Sequence, residues 1–243
     1  MSVETAAIAT TTTTTAREQD STGVPATFTV ASHLLHWLLK AASEFAGRDK
    51  SLPMINVVHL EISGDTLLAV ATDRFVLGVA KAPISRTGVS DGPLLDVTVG
   101  DVKTLLPLLK VAKRDEDTTV TVTVDDGVLH LLRSDGIAAR VTDAKVQFIS
   151  WRYLIGTVRG SEPVGELQGF GANLDPAKLV KFTRVRREER ERMTIEPNRE
   201  SSHRPVTIRV GENFVGIMMS LRAGRGEIES DSYAARAAWD AVL

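Results

Sequence analysis

The sequence has no cysteine in its 243 residues, which excludes a disulfide frame, a thiolate zinc site and a cysteine nucleophile. It has no apolar run long enough to cross a bilayer and no export signal at its start, where Glu4 and a threonine run stand instead. A cytoplasmic protein with no membrane partner is the expectation. An excess of one charge is missing too. With 29 basic and 31 acidic residues the formal net charge is −2, so bulk charge does not mark a nucleic-acid binder. It leaves room for basic residues gathered on one face. Catalytic patterns are equally scarce. The five histidines, His33, His36, His59, His130 and His203, show no metal-binding spacing, and His33 with His36, three apart on a helix, is a poor metal pair. Asp73 stands without a second carboxylate or histidine at a telling interval. The 47–51 stretch ends like a phosphate loop but lacks the leading glycine spacing and follows a helix. No enzyme activity and no cofactor are expected.

What is present is a pattern of short alternating runs. Residues 60–80 read as strands of an antiparallel meander, with a Gly-Asp turn between the first two. Just upstream, Leu34, Leu35, Leu38, Ala42 and Phe45 fall on one helical stripe, with His33, His36, Lys40 and Ser43 opposite. Ser32 is the expected N-cap and Gly47 the stop. Strands are expected at 28–30, 57–63, 66–72 and 75–80. The order then recurs: a strand at 94–99, a helix over 101–114, and strands at 120–124, 128–133 and 137–142. In that second helix Leu105, Leu108, Leu109 and Ala112 are placed inward. Lys103, Lys110, Lys113 and Arg114 are placed outward. Pro107 is costly in a helix interior, and a start near Thr104 would put it in the first turn.

Residues 28–145 therefore carry strand, helix and three strands twice, with a period of about sixty residues. The expectation is that the two halves join into one sheet with both helices on the same face. A connector follows over 146–171. A third copy then starts at a helix capped by Asp175 with Pro176 in first position, Leu179 and Phe182 facing in, and Lys178, Lys181, Arg184 and Arg187 facing out. Strands at 193–196, 205–210 and 214–221 complete it. The division is a disordered tail at 1–26, a first domain at 28–145, a connector and half-size module at 146–222, and a loop with an Ala-rich helix at 223–243. The fold class is α+β, with repeated βαβββ units and helices on one face of antiparallel sheets.

These residues carry a resemblance. The repeated βαβββ halves with basic helix faces resemble the DNA sliding clamps, in detail the bacterial DNA polymerase III beta subunit family in a shortened form. Residues 28–30 and the leucine-rich helix are similar to the opening of that family's middle domain. Ala71-Thr72-Asp73-Arg74-Phe75-Val76-Leu77 resembles its Ala-Thr-Asp-Gly-His-Arg-Leu signature. Phe148-Ile149-Ser150-Trp151-Arg152-Tyr153-Leu154 sits where the family has its Phe-Pro-Asp-Tyr-Arg-Arg connector. The stretch 165–222 resembles the second half of the last domain, and Met218 with its neighbours stands for the closing Met-Pro-Met-Arg. The family's first domain and the first half of its last one have no counterpart here. Arg74 replaces a glycine, and Ile149 and Ser220 replace prolines, which bears on the shape of the family's peptide groove.

The resemblance implies two sites. The walls of a partner-peptide groove would be Leu38, Thr72, Arg74, Phe75, Val76, Leu77, Ile149, Tyr153, Leu154, Ile217, Met218, Met219 and Leu221. A flexible tail with apolar anchors needs such a slot, and methionine at its rim adapts to several partners. Lys40, Lys103, Lys110, Lys113, Arg114, Lys178, Lys181, Arg184 and Arg187 would face the backbone of duplex DNA, without reading sequence. The implied function is a processivity factor: a homo-oligomeric ring around DNA that tethers DNA polymerase or repair proteins by short peptides. The alternative is a stand-alone module that keeps the groove and makes no ring.

Overall fold

The computed structural model describes residues 26–49, 51–86, 89–159, 174–196 and 205–221. The tail expected before residue 26 and the helix expected over 233–243 lie outside them. The first repeat runs β1 (Ala26–Ala31), α1 (Ser32–Ser43), β2 (Val57–Ser63), β3 (Thr66–Thr72) and β4 (Val76–Pro83), followed by a two-residue β5 (Ser85–Arg86). The second runs β6 (Gly92–Thr98), α2 (Val99–Leu109), β7 (Thr119–Asp125), β8 (Val128–Arg133) and β9 (Ala138–Thr142). Then come α3 (Trp151–Arg159), α4 (Pro176–Thr183), β10 (Met193–Glu196), β11 (Val206–Val210) and β12 (Phe214–Met218). The architecture is the expected α+β type. The β7–β8 hairpin turns at Asp126 and Gly127, both at positive φ (44° and 71°), the conformation a two-residue hairpin loop requires. No described helix is long and apolar enough to cross a membrane.

The two repeats do not merge into one sheet as expected; they exchange their leading strands. β1 pairs antiparallel with β7 of the second repeat, with Phe28 opposite Val122, while β6 pairs with β2 of the first, with Leu60 opposite Leu95. Two sheets result, in the orders β5-β1-β7-β8-β9 and β10-β11-β12-β4-β3-β2-β6. A 12-residue helix carries the chain about 18 Å, so β1 is delivered to the other repeat's meander rather than its own. Both helices do share one side. Leu35, Leu38, Leu39 and Phe45 of the α1 segment and Val102, Leu105 and Leu109 of α2 join the inward residues of both sheets in one core.

The half-size module also differs from a separate unit. β12 pairs with β4 (Phe214 with Ala80, Met218 with Val76), and Phe182, Val206, Ile208 and Phe214 enter that same core. α4 has the expected start, since Asp175 accepts a bond from the Ala177 N–H at 2.9 Å.

Local chemistry corrects three expectations. Ser32 is not the cap of α1. It lies inside the first turn, fully buried, and its hydroxyl donates to the Leu109 carbonyl at the end of α2 (2.9 Å). α2 starts at Val99, capped by Thr98, which accepts from the Asp101 N–H (3.1 Å) and bonds the Asp101 carboxylate (2.6 Å). Pro107 falls in its last turn, not its first, and the helix stops two residues later. Lys110 is thus a C-terminal cap residue, Lys113 and Arg114 belong to a separate short turn, and Ala112 is exposed rather than inward. Finally, the expected connector contains α3, whose Trp151 and Ile155, four residues apart, are both buried.

Candidate functional site

The outward side chains of the large sheet carry α3. Leu68 and Val70 of β3, Leu77 and Val79 of β4 and Ile217 of β12 pack with Trp151 and Ile155, flanked by Phe148, Ile149 and Val215. The helix is also held by charge. The Glu61 carboxylate on β2 accepts from the Trp151 indole N–H (3.0 Å) and from Arg152 Nε (2.9 Å). On its other side lies His59 Nε2 (3.8 Å). His59 Nδ1 is 2.7 Å from Asp96 Oδ1, and Phe148 stacks on the imidazole with centroids 4.8 Å apart. Burial alone would push the Glu61 pKa up, but the nearby His59 ring, the hydrogen bonds from Arg152 and the Arg152 charge bring it down to about 2. For His59, burial works against the charged form, yet the bond to Asp96 and the nearby Glu61 carboxylate prevail and raise its pKa.

The structure divides the expected groove residues. Leu38, Val76 and Met218 belong to the main core, on the side of the sheet opposite α3. The resemblance names them as walls, and strand alternation does not say which face of a sheet is covered. Leu77, Ile217 and Ile149 lie on the α3 side. Thr72 is buried and shapes the loop after β3: its hydroxyl donates to the Val76 carbonyl (2.8 Å) and accepts from the Arg74 N–H (3.1 Å). Phe75, Tyr153, Leu154, Met219 and Leu221 are large apolar groups left exposed. The Met219 N–H donates to the Phe75 carbonyl (2.8 Å), which ties the chain after β12 to the 73–75 loop. Trp151 and Ile155 are members of this face that sequence reasoning missed. Their apolar spacing was the available signal. They also line a cavity of about 630 Å³ on the same face, with Leu68, Val79 and Val215.

The basic residues divide as well. Lys40, Lys103 and Lys110 are exposed. Lys40 and Lys110 share a surface, because after partial burial it is these two charges that lower the pKa of His36. Lys178 and Lys181 do not form a free stripe. Both ammonium groups donate to Asp73 Oδ2, at 2.6 and 2.8 Å. Burial pushes Asp73 up, but those two lysines outweigh it and leave its pKa below the usual value, so Asp73 is a fixed counter-ion rather than a proton donor. Arg184 pairs with Glu44 (3.4 Å). Arg187 lies beyond α4 and pairs with Glu188 (3.2 Å), and Arg114 lies 3.5 Å from Asp115. Among the described residues no group of three or more His, Asp or Glu is placed to hold a metal ion.

Residues 29–146 match the family model of the DNA polymerase III beta subunit, central domain. The structure is similar to the crystal structure of the DNA polymerase III beta subunit from Thermotoga maritima, with a TM-score of 0.64 at 16% identity over 82% of this chain and 66% of that one. It is similar also to a DNA polymerase sliding clamp from Pseudomonas aeruginosa, with a TM-score of 0.62 at 13% identity over 82% of this chain and 66% of that one. The chain thus spans just under two thirds of the length of these solved clamps. Residues 29–146 are thus similar to the central domain of the DNA polymerase III beta subunit family, and the described residues carry the fold of the solved sliding clamps.

Proposed function

We propose that this protein is a non-enzymatic processivity factor that encircles duplex DNA as a homo-oligomer and tethers DNA polymerase or repair proteins by short peptides. One observation carries the reading: α1, α2 and α4 lie on one side of the large sheet and α3 on the other. A helix side bearing Lys40, Lys103 and Lys110 suits the phosphate backbone. The exposed apolar groups around α3 and the 73–75 loop suit a peptide. Topological linkage holds such a protein on DNA, so few phosphate contacts are needed and a net charge of −2 is no obstacle.

Changing Lys40, Lys103 and Lys110 together to Glu should shorten retention on closed circular DNA. It should also flatten the dependence of log affinity on log salt by about 3, close to 0.9 for each phosphate no longer neutralised. Unchanged retention and slope would remove these residues from the DNA-facing surface. Lys181 and Arg184 are poor choices for this test, because each already has a carboxylate partner.

Leu154→Ala with Met219→Ala should weaken binding of a synthetic peptide with leucine and phenylalanine anchors by at least about tenfold. Both side chains are exposed, so unfolding free energy should move by no more than about 0.5 kcal/mol for each. An unaltered affinity in fluorescence anisotropy rejects the groove. Met218→Ala is the contrasting control: it empties part of the core and should cost stability instead.

The commitment of Lys178, Lys181 and Arg184 to carboxylates favours a second reading, a groove-bearing module that forms no ring. Light scattering separates the two, since a monomer at micromolar concentration rejects the ring and leaves the module.

A further inference from the structure

β10 is the last strand of the large sheet, and among the described residues nothing pairs with its outer edge. The repeats show what that edge lacks. In the first, the strand after the helix, β2, is closed by β6, and in the second β7 is closed by β1. β10 is the corresponding strand after α4, and it has β11 alone. All four of its residues are exposed, Met193 and Ile195 included. Met193 lies opposite Val210 and Ile195 opposite Ile208, so both stand on the face that carries the main core. Val180 of α4 is exposed as well. The core face therefore ends in an uncovered apolar margin, beside a row of unpaired backbone groups.

The backbone phase of that edge is fixed. The Gly211 N–H donates to the Arg192 carbonyl (3.1 Å), so Arg192, Thr194 and Glu196 turn their N–H and C=O groups towards β11. Met193 and Ile195 turn theirs outwards. A second copy of the strand, laid antiparallel on this edge, can bond only where outward groups meet. The register with the fullest overlap places Thr194 on a twofold axis, with Met193 opposite Ile195 of the second copy and Arg192 opposite its Glu196. The stretch Arg192-Met193-Thr194-Ile195-Glu196 is self-complementary in that register. On one face an apolar group meets an apolar group. On the other, threonine meets threonine and each basic end meets an acidic end. Glu196 already accepts from Arg209 Nε at 2.7 Å, but its side chain is 46% exposed and has room for a second guanidinium.

We propose that β10 is a self-association edge, through which two copies of this chain join across a twofold axis into one continuous sheet. Residues opposite each other share a face, so the helix side of one copy runs on into that of the other. The inference rests on the homo-oligomer reading and names one of its contacts. A twofold contact does not repeat head to tail, so a ring that contains it has an even number of copies and a second kind of contact.

The test uses the full chain in sedimentation equilibrium, from micromolar to submillimolar concentration. The wild type should show a dimer-forming step. Arg192→Glu alone and Glu196→Arg alone each set like charges opposite one another on both sides of the axis, and each should weaken that step about tenfold or more. An equimolar mixture of the two variants should regain it, because every pair across the axis is then of opposite sign. Both side chains are exposed, so far-ultraviolet circular dichroism should be unchanged. In the wild type, amide exchange at Met193 and Ile195 should slow as concentration rises, and exchange independent of concentration overturns the edge whatever the variants do. Oligomers that persist unchanged in both variants overturn the edge and leave the ring reading standing. A mixture no tighter than either variant alone overturns the register and the proposal with it. A wild type that stays monomeric throughout removes the edge and the ring together.

Discussion

Phe182→Ala should lower the free energy of unfolding by about 3–5 kcal/mol and release α4 from the sheet. The ring is fully buried and meets Phe45 edge-on, with centroids 4.8 Å apart at 73°, and Phe214 at 6.1 Å and 81°. These three rings tie α4 and the end of α1 to β12. They reach the sheet through a gap. Gly78 of β4 and Gly216 of β12 face each other across the strand pair, and a Cβ at Gly78 would lie 2.6 Å from the Phe45 ring. A Cβ at Gly216 would meet the Leu77 carbonyl oxygen and, at 2.7 Å, the Phe182 ring. Two glycines in the middle of strands are normally a weakness. Here they supply the volume the aromatic trio fills, so removing Phe182 opens a cavity whose floor is backbone and cannot close. Urea unfolding followed by circular dichroism measures the loss. Trp37 is a second probe, because its indole N–H donates to the Val185 carbonyl just past α4 (2.8 Å) and its fluorescence should change with that segment. A loss below about 1 kcal/mol would mean that α4 is not anchored through this ring.

The helices and hairpins of this chain were legible where a signal is local. The stripe of Leu35, Leu38, Ala42 and Phe45, the Asp-Gly turn after β7 and the Asp175-Pro176 start of α4 each involve residues within a turn or two of one another. Each of these elements forms as expected. What stayed hidden was partner choice. Nothing in β1 says that it pairs with β7 rather than with its own repeat, and nothing in Lys178 announces Asp73, 105 residues earlier. The basic stripe of α4 looked like a solvated or DNA-facing surface because charge patterning is read along one helix, while its neutralising carboxylate arrives from a distant loop. Val76 and Met218, which the resemblance named as groove walls together with Leu38 of α1, lie on strands covered on both faces, where the period does not distinguish one face from the other. The resemblance to the clamps named the expected groove residues, and the covering helix separates those on its own face from those in the main core.

That helix depends on a buried charge, and acid should expose the dependence. Glu61→Gln is expected to remove a pH-dependent part of stability worth about 3 kcal/mol, the free energy that corresponds to moving the Glu61 pKa from 4.5 to about 2. The Glu61 carboxyl is 10% exposed but its Arg152 partner is 54% exposed, so solvent screening reduces this figure and about 3 kcal/mol is its upper bound. The sign follows from the depressed pKa. The contribution is complete above pH 4.5, where the unfolded carboxyl is also ionised, and disappears as pH falls towards 2 and the folded carboxyl gains its proton. His59 acts in the opposite direction. Its raised pKa adds stability that is complete below pH 6.5 and is lost as pH rises through the higher folded value. The pair therefore clamps α3 best between about pH 4.5 and 6.5, where Glu61 is charged and the imidazole is protonated between two carboxylates. Urea midpoints measured from pH 2 to pH 8 for both proteins should converge at the acid end, where the wild type has lost the interaction, and separate most near pH 5. Glu61→Gln should also weaken the alkaline decline, because His59 keeps only Asp96. Parallel curves across the acid range would show that Glu61 does not hold α3. Tyr153 and Leu154 ride on α3 and Ile149 just precedes it, so the charge on Glu61 sets how firmly one side of the proposed groove is held.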